Sequence, residues 1–395
     1  MSTPIRLNMT ALRMLEAPAH RNLTSPPHPP IILLKNPLQN MWSASEIRVL
    51  QALLDEGPAT RGELALRTGL SRPTVERALR ALIRKDLVQA IGPRPSGGGR
   101  PPVAYAPRSQ ARLFAGVDLE LPRVDMILTD LTGEPLVRAS FTLDGTGLDP
   151  AATLRRVSLR LQEWVEEAGY PWGLVLGLGV AFPGPVAGGL GSLLGVTLPT
   201  WIRVPIQAML ERELRVPVRA FHDLHLLALA EARLGGWKDE IMLLLSLRPG
   251  LQGEVRFGAS VLLGGQPYWG AHGNGGALLQ AYVPARELSG PARLERLAEA
   301  LAGRAVHAVA LLDPDRVVVD AGLLGEEAPR FLRRFRERLE GLLHGEYPGP
   351  LRINLAKGGE FGGALGAALA VQGELVRSPE IFLRKGGDGQ AYSGL

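Results

Sequence analysis

The sequence predicts a winged helix-turn-helix domain followed by a duplicated α/β body of two lobes. Three observations predict it. Residues 61–78 space a small residue, a glycine and an apolar residue as a helix-turn-helix requires. A Pro/Gly-rich stretch, 92–102, then returns into the strand-like Val103-Ala104-Tyr105, as a wing does. From residue 111 onward, an order of three strand-like runs followed by helix occurs twice.

Composition sets the outer limits. The chain has 395 residues, 46% hydrophobic and 21% charged, a globular composition with room for two or three domains. It contains no cysteine, which excludes disulfides, thiolate zinc sites and a cysteine nucleophile. Apolar runs such as 241–245 are of strand length, far short of the roughly 20 residues of a membrane span. The first residues lack the basic, apolar and small-residue order of a signal peptide, so a cytoplasmic protein is expected. The net charge of +5 is concentrated early: residues 1–107 hold 14 Lys and Arg against 7 Asp and Glu. A basic head on a nearly neutral body suits a polyanion partner for the head alone.

Residues 1–40 are rich in Pro, Ser and Thr, as in Ser25-Pro26-Pro27-His28-Pro29-Pro30, with one apolar run at 31–34. Such a segment has little to bury, and disorder is expected. Residues 41–107 form the head. Helical spacing runs through Ile47, Leu50, Leu53 and Leu54, then Leu64 and Ala65, then Val75, Leu79, Leu82 and Ile83. Ala65 is small enough to let two helices approach, and four residues on, Gly69 supplies the positive φ of the turn. Six more bring Val75, which locks the second helix onto the first. Ser71 is placed as the N-cap of that helix, with Pro73 in its first turn.

Burying Val75, Leu79 and Leu82 leaves Arg72, Thr74, Glu76, Arg77, Arg80 and Arg84 on the open face. Arginine suits guanine edges and phosphates. The bland reading is an amphipathic hairpin with a solvated basic face; the coincidence of small residue, turn glycine, cap and wing favours DNA. The wing stretch Arg94-Pro95-Ser96-Gly97-Gly98-Gly99-Arg100 is basic and free of bulk, fit for a minor groove, although a plain linker has the same composition. The candidate DNA-binding residues are therefore Ser71, Arg72, Thr74, Arg77, Arg80, Arg84, Arg94 and Arg100. The stretch from 101 to 112 couples head to body.

Residues 111–395 form the body. Strand-like runs at 113–119, 124–129 and 135–142 precede a helix at 151–168. Runs at 242–247, 254–263 and 266–269 repeat that order, and helices follow. Two similar halves predict a duplicated α/β fold with a cleft between them.

Leu70-Ser71-Arg72-Pro73-Thr74-Val75 and Gly97-Gly98-Gly99-Arg100-Pro101-Pro102 resemble the N-terminal domain of ROK-family (repressor/ORF/kinase) transcriptional regulators. The resemblance continues through the body. Gly179-Val180-Ala181-Phe182-Pro183-Gly184-Pro185-Val186 is similar to the family's Gly-x-x-x-Pro-Gly-Pro-Val, and Tyr268-Trp269-Gly270-Ala271-His272-Gly273 to its Tyr-x-Gly-Ala-His-Gly. Val216-Pro217-Val218-Arg219-Ala220-Phe221-His222-Asp223 resembles its strand ending in Asn-Asp; Leu312-Asp313-Pro314 and Gly362-Gly363-Ala364-Leu365-Gly366-Ala367-Ala368 fit its C-terminal half. The resemblance implies an actin/hexokinase-like, ribonuclease H-like body behind the winged helix.

The kinase chemistry of that family is poorly represented. Its first phosphate turn, Asp-x-Gly-Gly-Thr, corresponds to Asp118-Leu119-Glu120-Leu121-Pro122, and its Gly-Thr-Gly-x-Gly to Arg248-Pro249-Gly250-Leu251-Gln252. Such turns cradle phosphates with backbone N–H groups, and proline has none to give. The family's Pro-Asn-Leu-Gly-Trp becomes Thr197-Leu198-Pro199-Thr200-Trp201, and its Glu-x-x-His becomes Ala277-Leu278-Leu279-Gln280, which costs hydroxyl-binding groups. Asp223 is retained as a residue suited to a catalytic base. His222, Asp223, Trp201 and His272 are the candidate ligand contacts. Without thiolates or close His/carboxylate spacing beyond His222, His225 and His272, neither a metal nor a cofactor is expected. The resemblance implies a repressor that binds a palindromic operator on double-stranded DNA as a homodimer, its body serving dimerisation and sensing a small-molecule effector. An atypical sugar kinase using Asp223 as base, a regulator sensing a non-sugar ligand, and a body that only dimerises are the alternatives.

Overall fold

A computed structural model describes residues 43–94, 101–143, 149–192, 200–237, 239–250, 253–270, 275–276, 282–344 and 351–377. The expected disorder of 1–40 lies outside these residues. The head begins with α1 (Ala44–Glu56), whose N-cap Ser43 accepts the N–H of Glu46. A two-residue strand β1 (Ala59–Thr60) leads into α2 (Arg61–Thr68), and α3 (Arg72–Arg84) follows. The wing strands β2 (Val88–Pro93) and β3 (Val103–Pro107) pair antiparallel, with β1 on the outer edge of β3. The sequence carried no clear sign of β1, because two residues show no periodicity.

The first lobe comprises β4 (Leu113–Asp118), β5 (Arg123–Asp130), β6 (Pro135–Thr142), α4 (Pro150–Glu167), β7 (Val175–Phe182), the short hairpin β8 (Val186–Ala187) and β9 (Leu190–Gly191), α5 (Ile206–Leu214) and β10 (Val218–His222). Its sheet runs β6-β5-β4-β7-β10, the first three antiparallel and the last two parallel to β4. After α6 (Asp223–Gly235), the second lobe comprises β11 (Met242–Pro249), β12 (Val255–Leu263), β13 (Gln266–Pro267), β14 (Tyr282–Val283), α7 (Arg293–Leu312), β15 (Arg316–Asp320), α8 (Ala328–Leu342) and β16 (Arg352–Leu355), and α9 (Gly362–Arg377) follows. Its sheet, β13-β12-β11-β15-β16, repeats the order and directions of the first. The third strand of the repeat, Gln266–Pro267, is shorter than the expected 266–269, although Tyr268 N–H still donates to the carbonyl of Val261 at 2.8 Å.

Each lobe sends its last helix to the other. The helices α4 and α5 cover one face of the first sheet, and α7 and α8 one face of the second. On the facing sides, α6 packs against β11 and β12, and α9 against β4 and β7. The two exchanged helices also pack on each other. Their contact is backbone-close at Gly366, where a Cβ would stand 1.8 Å from the carbonyl oxygen of Leu226. This explains why a glycine stands at 366.

Head and body are joined by more than the chain. Val49, Leu50 and Leu53 of α1 share one apolar cluster with Phe114 of β4, Leu176 of β7, and Val371 and Val376 of α9. Gln372 of α9 also donates to the carbonyl of Leu131, whose own N–H reaches Ser109 in the joint between head and body. The coupling through residues 101–112 is thus joined by a packed interface. The sequence could not show it, because the apolar residues concerned are already explained by their own elements.

Candidate DNA-contacting helix and interlobe cleft

The helix-turn-helix is built by three local devices. Thr60 and Glu63 cap α2 reciprocally: Thr60 N–H donates to the Glu63 carboxylate at 2.7 Å, and Glu63 N–H to Thr60 Oγ1 at 3.3 Å. These bonds, with Arg94 and Arg67 nearby, hold Glu63 below its ordinary pKa. Gly69 ends α2 in the left-handed conformation, φ 67° and ψ 13°, and turns the chain into α3. Ser71 then caps α3 by accepting the N–H of Thr74 at 3.4 Å, while the two hydroxyls bond at 2.8 Å.

Val75, Ala78, Leu79, Ala81 and Leu82 are buried against the rest of the head, and Arg72, Arg77, Arg80 and Arg84 are exposed. Arg80 is engaged by Glu76, which also lies 3.7 Å from Arg61. Arg94 turns inward: it donates to the carbonyl of Pro58 at 2.8 Å and lies 3.4 Å from Glu63, tying the root of the wing to the start of α2. Arg100 and the rest of the wing tip lie outside the described residues.

The interlobe cleft gathers the ends of β4, β10, β11 and β15. Asp118 ends β4 and is buried, its carboxyl set against the start of α9 at Gly363. Burial, then the charge of Asp223, pushes the Asp118 carboxyl well above its usual range, with Arg248 opposing. Arg248 near the end of β11 lies 3.6 Å from Asp223 and 3.5 Å from Glu120. Burial alone would depress its guanidinium pKa, but Asp223, Glu120, Asp320 and Asp118 more than offset that and raise it. Asp320, at the end of β15, accepts the hydroxyl of Ser246 at 2.8 Å.

Deeper in the cleft, His225 is 1% exposed. Its Nδ1 bonds Ser260 Oγ at 2.8 Å, and its ring meets Trp269 edge-on at 4.8 Å and His222 at 5.4 Å. Burial, aided by the neighbouring His222, lowers its pKa from 6.5 to about 4. His222 Nδ1 lies 3.3 Å from Asp223, and Phe221 stacks on Trp269 at 5.1 Å. On the reverse side of α6, Glu231 is wholly buried and accepts the N–H groups of Lys357 and Gly358 at 2.7 and 2.6 Å, fixing the loop that enters α9.

The turns that stand in place of the family's phosphate loops have some of their N–H groups engaged within the fold, among the described residues. Leu119 N–H donates to Ala181 and Gly250 N–H to Glu254, and Pro249 has none. Among the described residues, no group of three or more His, Asp or Glu is placed to hold a metal ion. None of the described helices is long and apolar enough to cross a membrane.

Around the consecutive His222 and Asp223 the structure gathers His225, Ser260, Trp269 and Arg248. Trp201 is corrected: its indole is fully buried in the first-lobe core and stacks on Phe182 at 6.0 Å, too deep to meet a cleft ligand. His272 lies outside the described residues, as do Leu198 and Ala277. The missed residues had one faint signal. Ser246 and Ser260 are single hydroxyls inside apolar strands, and a polar residue in such a place needs a partner.

Comparisons with known proteins divide the chain at the same joint. The family described as sugar-specific transcriptional regulator TrmB matches residues 42–109. The ROK family matches residues 115–278 and 285–374. A putative xylose repressor of Caldicellulosiruptor sp. (strain Rt8B.4) is 27% identical over 232 residues, 59% of this chain and 57% of that protein. The DNA-binding transcriptional dual regulator NagC of Escherichia coli K12 is 25% identical over 234 residues, 57% of this chain and 54% of that protein. The matched stretch therefore spans little more than half of either relative. Among solved structures, a ROK family transcriptional regulator homologous to the E. coli MLC protein superposes with a TM-score of 0.65 at 18% identity, covering 86% of this chain and 98% of that one. A ROK hexokinase from Thermus thermophilus gives 0.53 at 23% identity, covering 67% and 99%. At these identities the two structures speak to fold alone, which a regulator and a kinase share.

Proposed function

The chain belongs to the ROK family, and from that premise we propose that it is a DNA-binding transcriptional repressor rather than a sugar kinase. The observation that carries the reading is α3, capped at its N-terminus and presenting exposed Arg72, Arg77 and Arg84, with no carboxylate among the described residues paired to them. In this reading α3 enters the major groove, with Ser71, Arg72, Thr74, Arg77, Arg80 and Arg84 facing DNA. Arg94 positions the root of the wing, and Arg100, outside the described residues, is a further proposed DNA contact. The protein acts as a homodimer on a palindromic operator, since two such helices read half-sites about one helical turn apart. The family matched by the head and the names of the repressor relatives support a sugar-type effector held by the body.

Two features weigh against phosphoryl transfer. Leu119 N–H and Gly250 N–H, in the two candidate phosphate turns, are spent within the fold, Pro249 has none to give, and Asp223 lies 3.6 Å from Arg248.

The test is selection of bound fragments from a genomic DNA library by the purified chain at a stated, near-physiological salt. The reading expects a palindromic site whose affinity falls by about 1–3 kcal/mol on Arg77→Ala or Arg72→Ala. Binding that is salt-sensitive, indifferent to sequence and unchanged in both variants would overturn it.

A further inference from the structure

Glu76 is the one acidic residue of α3, whose other charged residues are Arg72, Arg77, Arg80 and Arg84. Its carboxylate lies on the face that the repressor reading turns toward DNA, where phosphates repel it. The helix itself gains little from it, since an exposed pair at i, i+4 adds only slightly to stability. We propose that Glu76 reads a cytosine of the operator, its carboxylate accepting the exocyclic N4–H in the major groove, and that Arg61 and Arg80 hold it for that contact. The inference rests on the repressor reading above and assigns it one base.

Three features carry it. The first is how the carboxylate is held. Arg80, one turn on, donates to Glu76 Oε1, and Arg61 Nη1 stands 3.7 Å from the same oxygen. Arg61 opens α2 and is itself fixed, donating through Nε and Nη2 to the hydroxyl of Tyr105 at 3.1 and 2.9 Å. Tyr105 belongs to β3 and is buried, so the series Tyr105–Arg61–Glu76–Arg80 runs from the wing sheet to α3. A carboxylate already ordered between two guanidiniums loses little freedom on meeting a base.

The second is what the carboxylate still offers. Both arginines approach Oε1, and 34% of the Glu76 side chain stays exposed. Two carboxylate oxygens have about four acceptor sites between them, enough for a further donor. The bond from Arg80, then the charge of Arg61, holds the carboxyl below its ordinary pKa, so it is an acceptor at neutral pH.

The third is the chemistry of the base edges. An ionised carboxylate accepts and never donates. In the major groove guanine shows N7 and O6, thymine shows O4, and adenine sets N7 beside its amine, so each turns an acceptor toward Glu76. Cytosine shows its amine without one. Its paired guanine suits an arginine, so a C·G pair matches Glu76 and Arg80 together.

The experiment repeats the selection of bound genomic fragments with Glu76→Gln and Glu76→Ala beside the wild-type chain, then measures affinity for the recovered operator. The wild type should require cytosine at one position of each half-site, and both variants should lose that preference while keeping the rest of the site. A T·A pair at that position should weaken the wild type about fivefold or more and leave the variants unchanged. N4-methylcytosine, whose methyl replaces the amine hydrogen facing the groove, should weaken the wild type alike and leave Glu76→Ala unchanged. Arg61→Gln, which frees the carboxylate from one side, should relax the preference at that position and at no other. An operator whose every preference survives in both Glu76 variants overturns the inference and leaves the repressor reading standing. A Glu76-dependent preference for any base but cytosine does the same. A wild-type chain that selects no site overturns the repressor reading and this inference with it.

Discussion

His225 carries no charge in the folded chain near neutral pH, because its ring is sealed between Ser260, His222 and Trp269. Its pKa of about 4 lies below the unfolded value of 6.5, so the unfolded chain takes up the proton first as pH falls. The stability it contributes is present above pH 6.5 and is lost between there and about 4. Between pH 7.5 and 4.5 that amounts to about 2–3 kcal/mol. Urea denaturation at the two pH values should show a gap smaller by this amount in His225→Asn; an equal gap would refute the assignment. Asp118 works in the opposite sense. Its raised pKa means that the fold favours the protonated carboxyl, so stability is present at low pH and is lost as pH rises through the folded value. Asp118→Asn should remove the part of the stability loss that sets in as pH rises above the ordinary carboxylate range.

At the level of elements, α3 and the pair α6–α9 are held by different physics. The start of α3 depends on a cap, and replacing Ser71 by Ala should cost about 1 kcal/mol of stability in thermal or chemical unfolding. Its outer face is partly self-neutralised, because Glu76 engages Arg80 and lies close to Arg61. Glu76→Gln should therefore raise affinity for random duplex DNA and steepen its salt dependence; no change in slope would argue against α3 lying at the backbone. The α6–α9 contact depends on the absence of atoms. A methyl at Gly366 would stand 1.8 Å from Leu226 O, so Gly366→Ala must push the helices apart, at a cost of about 1–3 kcal/mol in denaturant unfolding.

Over the whole molecule, α9 links the two candidate sites. Its start lies beside Asp118 and the loop held by Glu231, and its far end enters the apolar cluster of the head. A change in the cleft that moves α9 has a physical route to α1. Val371→Ala leaves a cavity in that shared cluster and should speed amide hydrogen exchange in α1 as well as in α9. Unaltered exchange in α1 would show that head and body unfold independently.

The sequence by itself determined the division into head and body, the helix-turn-helix with its cap and turn glycine, and the duplicated strand pattern. Each of these is set by neighbours along the chain: Ser71 meets the N–H of Thr74, and Gly69 needs only its own φ. Only the tertiary structure decided that Trp201 is core, that Arg94 turns inward, and that Arg248 stands among Glu120, Asp223 and Asp320. Those partners are separated by tens to more than a hundred residues, and whether a side chain is buried or paired depends on which distant strand ends the fold brings beside it.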